Sequence, residues 1–319
     1  MDLNQILETL RVAQLSMRTQ FRGITTREVA LFEGPVGWGE FSPFLEYDDI
    51  ESANWLKSAL EAATINDFPS YRSSIKINGT IPATDSAEEI ENLIASYPGA
   101  EVLKVKVGTN TESDLARLRR VKKLAPNANL RIDVNGSWGV DEALQNIESI
   151  YGEVGELEYV EQPVEDLDSL KRLKERLTVD VKIAGDEVIR KARDPFAINL
   201  EGAVDILMLK VSPLGGINRS LLIAEHHKLP VVVSSAIESA IGISHGLRLA
   251  AALPNLEYAS GLATGSLFTS DLATHEIRDG AISITSQTPN LEALERFVTP
   301  KERLEWWRER IKGCWEVLG

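Results

Sequence analysis

Val102-Leu103-Lys104-Val105-Lys106-Val107 sets two lysines into a run that is otherwise wholly apolar. Successive side chains of an extended chain point to opposite faces, so Leu103, Val105 and Val107 share one face and both lysines the other. A strand of a β/α barrel meets its helices with the apolar face, which turns Lys104 and Lys106 into the barrel. Two residues of strand rise separate the ammonium groups by roughly 7 Å. At an effective dielectric near 20, charges that far apart repel by about 2 kcal/mol. That moves a lysine towards neutrality, as a general base requires. The alternative is that one lysine reaches solvent at the strand's end.

Around this stretch the chain repeats one pattern. Short β-rich runs recur at Val102–Val107, Leu130–Asn135, Leu157–Glu161, Val181–Ala184, Asp205–Lys210, Leu229–Ser234 and Leu256–Ser260, with Ser74–Asn78 as an eighth. Amphipathic stretches such as Asp114–Ala125 and Ser169–Leu177 lie between them. Alternating strand and helix implies a parallel sheet, and eight units at roughly 25-residue spacing favour closure into a barrel. The ends read differently. Val29–Phe32, Gly34-Pro35 and Gly37-Trp38-Gly39-Glu40 look like strand, turn and strand. Ile50–Ala63 reads as a helix, and so does Lys301–Val317 with its tryptophans. The expected architecture is α/β: a modified TIM barrel, (β/α)7β-like, over residues 74–274, with a smaller α+β capping domain over residues 1–73 completed by a tail of about 275–319.

Composition narrows the class. The 319 residues are 43% hydrophobic and 26% charged, as in an ordinary globular protein. A net charge of −14 with no basic block argues against nucleic acid as a partner. No apolar run approaches the ~20 residues that span a bilayer, so no membrane partner is expected. The single cysteine, Cys314, fits a reducing compartment, and the start lacks a signal-peptide profile, so a cytoplasmic location is expected. Nothing in the sequence reads out an oligomeric state.

The strands after the lysines bring acids to the same rim. Leu130-Arg131-Ile132-Asp133-Val134-Asn135 sends Asp133 and Asn135 inward, Tyr159-Val160-Glu161 ends at Glu161, and Ile183-Ala184-Gly185-Asp186-Glu187 ends at Asp186. Singly, each acid suits a solvated strand end or a helix cap. Three in register would repel strongly unless a cation held them, and an all-oxygen set suits Mg²⁺, with Mn²⁺ as a substitute. Lys210 closes another apolar strand, with the acids between it and Lys106 in angular order. The exit Val231-Val232-Val233-Ser234-Ser235-Ala236-Ile237-Glu238-Ser239 is expected to present hydroxyls and the Glu238 carboxylate at the rim.

Lys104-x-Lys106, Asp133-x-Asn135, Glu161-Gln162-Pro163, Asp186-Glu187 and Lys210 together resemble the ordered signature of the muconate-lactonizing subgroup of the enolase superfamily. The resemblance spans the barrel, and Gly37-Trp38-Gly39-Glu40 looks like that family's capping hairpin. It implies Asp133, Glu161 and Asp186 as Mg²⁺ ligands, Lys106 as base, Lys104 as the neighbour that lowers its pKa, and Lys210 as the second lysine. Asn135 and Glu187 would stand behind the ligands. Ser234-Ser235-Ala236-Ile237-Glu238-Ser239 is similar to the stretch by which the o-succinylbenzoate synthase family contacts substrate, and Phe21-Arg22-Gly23 looks like that family's compact bacterial members. That resemblance implies dehydration of 2-succinyl-6-hydroxy-2,4-cyclohexadiene-1-carboxylate through an enediolate, in menaquinone synthesis. Arg22 or Arg18 would meet the second carboxylate of this small-molecule substrate, unless both are merely solvated. The rivals are N-succinylamino acid racemase, dipeptide epimerase, and a non-catalytic barrel that would have lost a lysine or a ligand.

Other motifs weigh less. Gly34, Gly37 and Gly39 lack the strand-to-helix setting of a nucleotide loop. His226 and His227 fall in an expected helix, His245 and His275 stand alone, and no histidine is placed to activate Ser234 or Ser235.

Overall fold

The computed structural model describes residues 1–108 and 110–319. The chain opens with helix α1 (Leu3–Thr9) and strands β1 (Arg11–Phe21), β2 (Ile24–Glu33) and β3 (Trp38–Phe41), which form one antiparallel sheet in the order β1-β2-β3. Helix α2 (Asp49–Thr64) starts where the Asp48 carboxylate accepts from Glu51 N at 2.8 Å. It packs so closely on β3 that a Cβ at Gly39 would lie 2.2 Å from Ala59 O.

After β4 (Ser74–Lys76) come the barrel strands and their helices: β5 (Gly79–Ile81), α3 (Ala87–Ala95), β6 (Val102–Lys106), α4 (Thr111–Leu124), β7 (Asn129–Asp133), α5 (Val140–Val154), β8 (Leu157–Glu161) and α6 (Leu167–Arg176). The series continues with β9 (Ile183–Gly185), α7 (Glu187–Arg190), β10 (Ile206–Lys210), α8 (Val211–Leu214), α9 (Ile217–His227), β11 (Val231–Ser234) and α10 (Ala240–Ala252). Strands β5 to β11 make a seven-stranded sheet in strict chain order, and every pair within it is parallel. Ser260 bridges to Ile77 and Gly261 to Ser234, so this short segment joins the first edge of the sheet to the last and closes it. Covered on both faces, β10 and β11 are buried at every residue, as parallel strands are. Among the described residues no helix is long and apolar enough to cross a membrane.

Two expected strands differ. Ser74–Asn78 gives the barrel only its end, where Ile77 and Asn78 meet Ser260, while Ser74–Lys76 pairs antiparallel with β13 (Ala281–Ser283), which also pairs with β12 (Ile277–Arg278). Only Ile75 of the three is buried, a one-sided pattern that suits a surface ribbon, whereas Gly79–Ile81 is buried throughout and supplies the barrel strand. Leu256–Ser260 contributes only its last residue, through the closing bridge. Beyond α11 (Leu291–Arg296), α12 (Lys301–Leu318) returns to pack on α2, with Trp307 and Cys314 fully buried.

Candidate active site

Register fixes the height of the charged groups. Lys106 pairs with Asp133 across β6 and β7, and Asp133 with Glu161 across β7 and β8. Glu161 lies level with Ala184, so Asp186 follows two residues on, at the first turn after β9. Five neighbouring strands thus deliver Lys106, Asp133, Glu161, Asp186 and Lys210 to the C-terminal rim, where barrel enzymes place their sites.

The side chains form a row of ion pairs. Lys104 Nζ donates to Glu161 Oε2 at 2.6 Å and lies 2.8 Å from Asp133 Oδ2. Lys106 Nζ meets the same Asp133 oxygen at 2.5 Å and Asn135 Oδ1 at 2.6 Å. Lys210 Nζ donates to Asp186 Oδ2 at 2.5 Å. Lys104 stands between Asp133 and Glu161, with Lys106 and Lys210 at the two ends, and among the described residues no three acidic side chains already form a metal cage. Two buried oxygens, Glu161 Oε1 and Asp186 Oδ1, nevertheless receive no hydrogen bond. Backbone geometry supports the row as well. Asn135 and Gln162 follow the strand ends with φ of 53° and 40°, and Gln162 Oε1 accepts from Asp186 N at 3.0 Å.

Burial and neighbours separate the two lysines of β6. Burial alone would lower Lys104, but Asp133 and Glu161 outweigh it and hold its pKa well above the usual lysine range. Lys106 is depressed, first by burial and then by the charge on Lys104, against the pull of Asp133. The sequence reading put the whole depression on Lys104, which acts second to burial. Burial and the charge of Asp133 push Glu161 up to about 7. Asp133 and Asp186 are held below the usual carboxylate range despite burial, Asp133 by Lys104, Lys106 and Lys210, Asp186 by Lys210 and Arg190.

A cavity opens over the row. Lys104, Lys106, Asp133, Asn135, Lys210, Ser234, Ser235 and Arg22 all line it. Glu161 is fully buried behind them, and Glu187 is reached through Asn135 Nδ2 at 3.2 Å. Arg22 is exposed, with its guanidinium 4.1 Å from the centre of the Phe44 ring and 3.7 Å from Glu46. Arg18 lines other cavities. Glu238 departs from the expected rim carboxylate. At 2% exposure it lies beneath its loop, accepting from Ser212 Oγ at 2.8 Å and Ala236 N at 2.5 Å, because those donors satisfy it better than the cavity. The histidines stay apart: His245 pairs with Glu61 at 3.2 Å and His275 with Ser244 at 3.1 Å.

Apart from Phe21, sequence reasoning missed the roof, and with it one cation. Phe21, Phe44, Tyr47 and Trp55 from the N-terminal part close the cavity from above. Arg190 binds Glu187 at 2.9 Å and Asp186 at 3.3 Å. Its signal was local: spacings of three and four residues from two acids on one short helix.

The chain is similar to known proteins in sequence and fold. Residues 12–63 match the enolase N-terminal domain-like family and residues 85–289 the enolase C-terminal domain-like family. The chain is 46% identical over 320 aligned positions to an o-succinylbenzoate synthase of Mycobacterium ulcerans, covering 99% of this chain and 96% of that protein. Identity to the o-succinylbenzoate synthase of Mycobacterium tuberculosis is 45% with the same coverage. Among solved structures, a muconate lactonizing enzyme from Pseudomonas putida has the same fold, with a TM-score of 0.74 at 21% identity over 91% of this chain and 98% of that one. The L-Ala-D/L-Glu epimerase of Bacillus subtilis follows at 0.71 and 21%, over 88% of this chain and 96% of that one.

Proposed function

The chain belongs to the o-succinylbenzoate synthase family of the enolase superfamily and is a carbon–oxygen lyase; from that premise we propose that it dehydrates 2-succinyl-6-hydroxy-2,4-cyclohexadiene-1-carboxylate to o-succinylbenzoate with Mg²⁺ as cofactor. The observation that carries the mechanism is the row itself: Lys106 and Lys210 approach the Asp133–Glu161–Asp186 carboxylates from opposite ends.

A carboxylate's α-proton is poorly acidic, because its removal loads a second negative charge onto the group. Asp133, Glu161 and Asp186 would hold Mg²⁺, or Mn²⁺ in its place. They offer only oxygen donors, and the buried Glu161 Oε1, which has no partner, is an acceptor of the kind a hard cation takes; Asp186 Oδ1 accepts no hydrogen bond and has only the Arg190 guanidinium beside it at 3.3 Å. When bound, the ion supplies positive charge beside the substrate carboxylate as the enediolate develops. Lys106 is the base: its lowered pKa favours the neutral amine, which takes the α-proton and then returns it to the hydroxyl leaving on the same face. One proton and one hydroxide depart together as water. Lys104 stays charged beside it, and Lys210 stabilises the anion from the other face.

The same two lysines suit racemisation of an N-succinylamino acid, provided Lys210 delivers a proton and not only a field. Dipeptide epimerisation fits less well. Ser260–Gly265 carries no acid to pair a substrate ammonium, and Asp271 is spent on Ala240 N at 3.0 Å and Leu272 N at 2.6 Å. The test is incubation in D₂O with the cyclohexadiene acid, an N-succinylamino acid and a dipeptide, followed by NMR at the α-carbon. Efficient dehydration with weak or absent exchange on the other two is expected. Rapid exchange on the dipeptide with no dehydration would overturn the assignment.

A further inference from the structure

The loop after β11 is held by residues far from it in sequence. Arg27, on β2 and 2% exposed, sends its Nε to Ile237 O at 3.1 Å and one Nη to Ala236 O at 3.4 Å. The rest of the same guanidinium reaches Ser42 O and, at 3.5 Å, Pro43 O, just past β3. Glu40 on β3 accepts from Ser239 Oγ at 2.5 Å, Ser239 N at 3.1 Å and Gly242 N at 2.9 Å. Gly242 permits that approach, since a Cβ there would lie 3.0 Å from the Glu40 carboxyl carbon and 2.6 Å from Glu238 Cβ. Carbonyls and amides from Ala236 to Ser239 are therefore gripped by two buried side chains of the cap, the Arg27 guanidinium and the Glu40 carboxyl.

The grip has a consequence at Ile237. Its φ is 62°, in the left-handed region that β-branched residues avoid. Such a conformation persists only where its surroundings over-determine it. Ile237 is 3% exposed and lines the cavity above Lys106 and Lys210. We infer that Arg27 and Glu40 are positioning residues for substrate recognition, which hold the Ala236–Ser239 loop strained so that Ile237 forms the wall against the substrate's carbocyclic ring. This rests on the dehydratase reading of the site. A loop released from the clamp populates the binding-competent form less, and KM rises by the inverse of that fraction. The chemistry of Lys106, on the far side of the barrel, is left alone.

The experiment uses the full chain with Mg²⁺ and the cyclohexadiene acid, in four forms: wild type, Arg27→Met, Ile237→Gly and the double substitution. Steady-state kinetics and thermal melting are measured on each. Arg27→Met is expected to raise KM at least tenfold with kcat within threefold, the pattern of lost uniform binding. Arg27→Lys should recover only part, because one ammonium cannot bridge the carbonyls of both segments. Glycine adopts the positive φ without strain and carries no wall side chain. In the Ile237→Gly background, Arg27→Met should therefore add less than threefold to KM. Unchanged KM in folded Arg27→Met, or KM effects that multiply in the double form, overturns the inference. A merely structural arginine would lower the melting temperature and leave KM alone. Should Arg27→Met not fold, Ser239→Ala, which removes one Glu40 contact, decides by the same KM criterion. A wild type that does not dehydrate the acid overturns the functional reading and this inference together. An active wild type with insensitive variants overturns the clamp alone.

Discussion

Two tiers of charge lie inside one barrel, a single strand step apart, and they differ in what they leave unpaired. Arg131 precedes Asp133 by two residues on β7, so both face inward. In the lower tier Arg131 is fully buried, bonds Asn78 Oδ1 at 2.9 Å and Ala259 O at 2.8 Å, pairs with Glu158, and lies 4.7 Å from the centre of the Tyr159 ring. Its unmet groups are Arg131 Nη2 and the Tyr159 hydroxyl, whereas the rim leaves a carboxylate oxygen unmet at Glu161 and one at Asp186 that accepts no hydrogen bond and has only Arg190 beside it. An unsatisfied guanidinium nitrogen cannot take a cation; an unsatisfied carboxylate oxygen can. The lower tier ties the closing segment to the sheet, and the rim is left with capacity for chemistry.

Substitution at the rim should give the largest effect. Lys106→Ala is expected to lower kcat by a factor on the order of 10²–10⁴ or more, the range of general acid–base catalysis, with an unchanged melting temperature. Lys104→Ala should retain more activity, since the role proposed for Lys104 is indirect, through its charge. The assignment of roles fails if Lys106→Ala stays active while Lys104→Ala is dead. Metal comes next. Mg²⁺ should raise the melting temperature of the wild type through binding to the folded state. Asp186→Asn should weaken Mg²⁺ binding in calorimetry by roughly 10–100-fold, a range seen even for groups behind the ligands. Chelator should abolish turnover and Mg²⁺ restore it; full activity in demetallated enzyme would remove the metal from the mechanism.

The lower tier should answer in stability instead. Arg131→Leu removes a buried cation that binds β7 to Asn78 and Ala259, at a cost of about 2–4 kcal/mol by analogy with broken buried polar networks. Denaturant unfolding measures it. The folded fraction should keep its Mg²⁺ affinity and kcat within about twofold, a margin of about 0.4 kcal/mol. A loss of kcat without loss of stability would erase the distinction between the tiers.

What was readable in the sequence follows the same division. Alternation with period two is local, so Lys104, Lys106, Asp133 and Glu161 could be assigned a face from five or six residues of context. Arg131 obeys the same rule, but its parity carries no chemical signal without knowledge of Asn78 and Ala259. The cap's contribution was closed to this reasoning. Arg27 and Ile237 are separated by 210 positions, and nothing near either announces the other. Glu238 was misread for a related reason: its donor Ser212 comes from the preceding β/α unit. The strand runs at Ser74 and Leu256 failed because β propensity does not say which sheet a segment joins.

Arg22 offers the smallest and finest test, because it belongs to the cap yet borders the rim's cavity. Its backbone turns through a φ of 53° at the tip between β1 and β2, and its side chain rests on Phe44 with Glu46 nearby. The succinyl carboxylate of the proposed substrate is the one the metal would not hold, and a guanidinium is a fitting partner. Arg22 is exposed, so solvent screening reduces a charge-assisted contact to about 1 kcal/mol, or roughly a fivefold rise in KM for Arg22→Ala. kcat should stay within about twofold, since an interaction equal in ground and transition states leaves it unchanged. Raising the salt concentration should weaken the wild type towards the variant, because an exposed pair is screened within about 10 Å at 0.1 M. Kinetics unchanged by both substitution and salt would return Arg22 to a purely local partnership with Phe44 and Glu46, and leave the cap to act on substrate through packing alone.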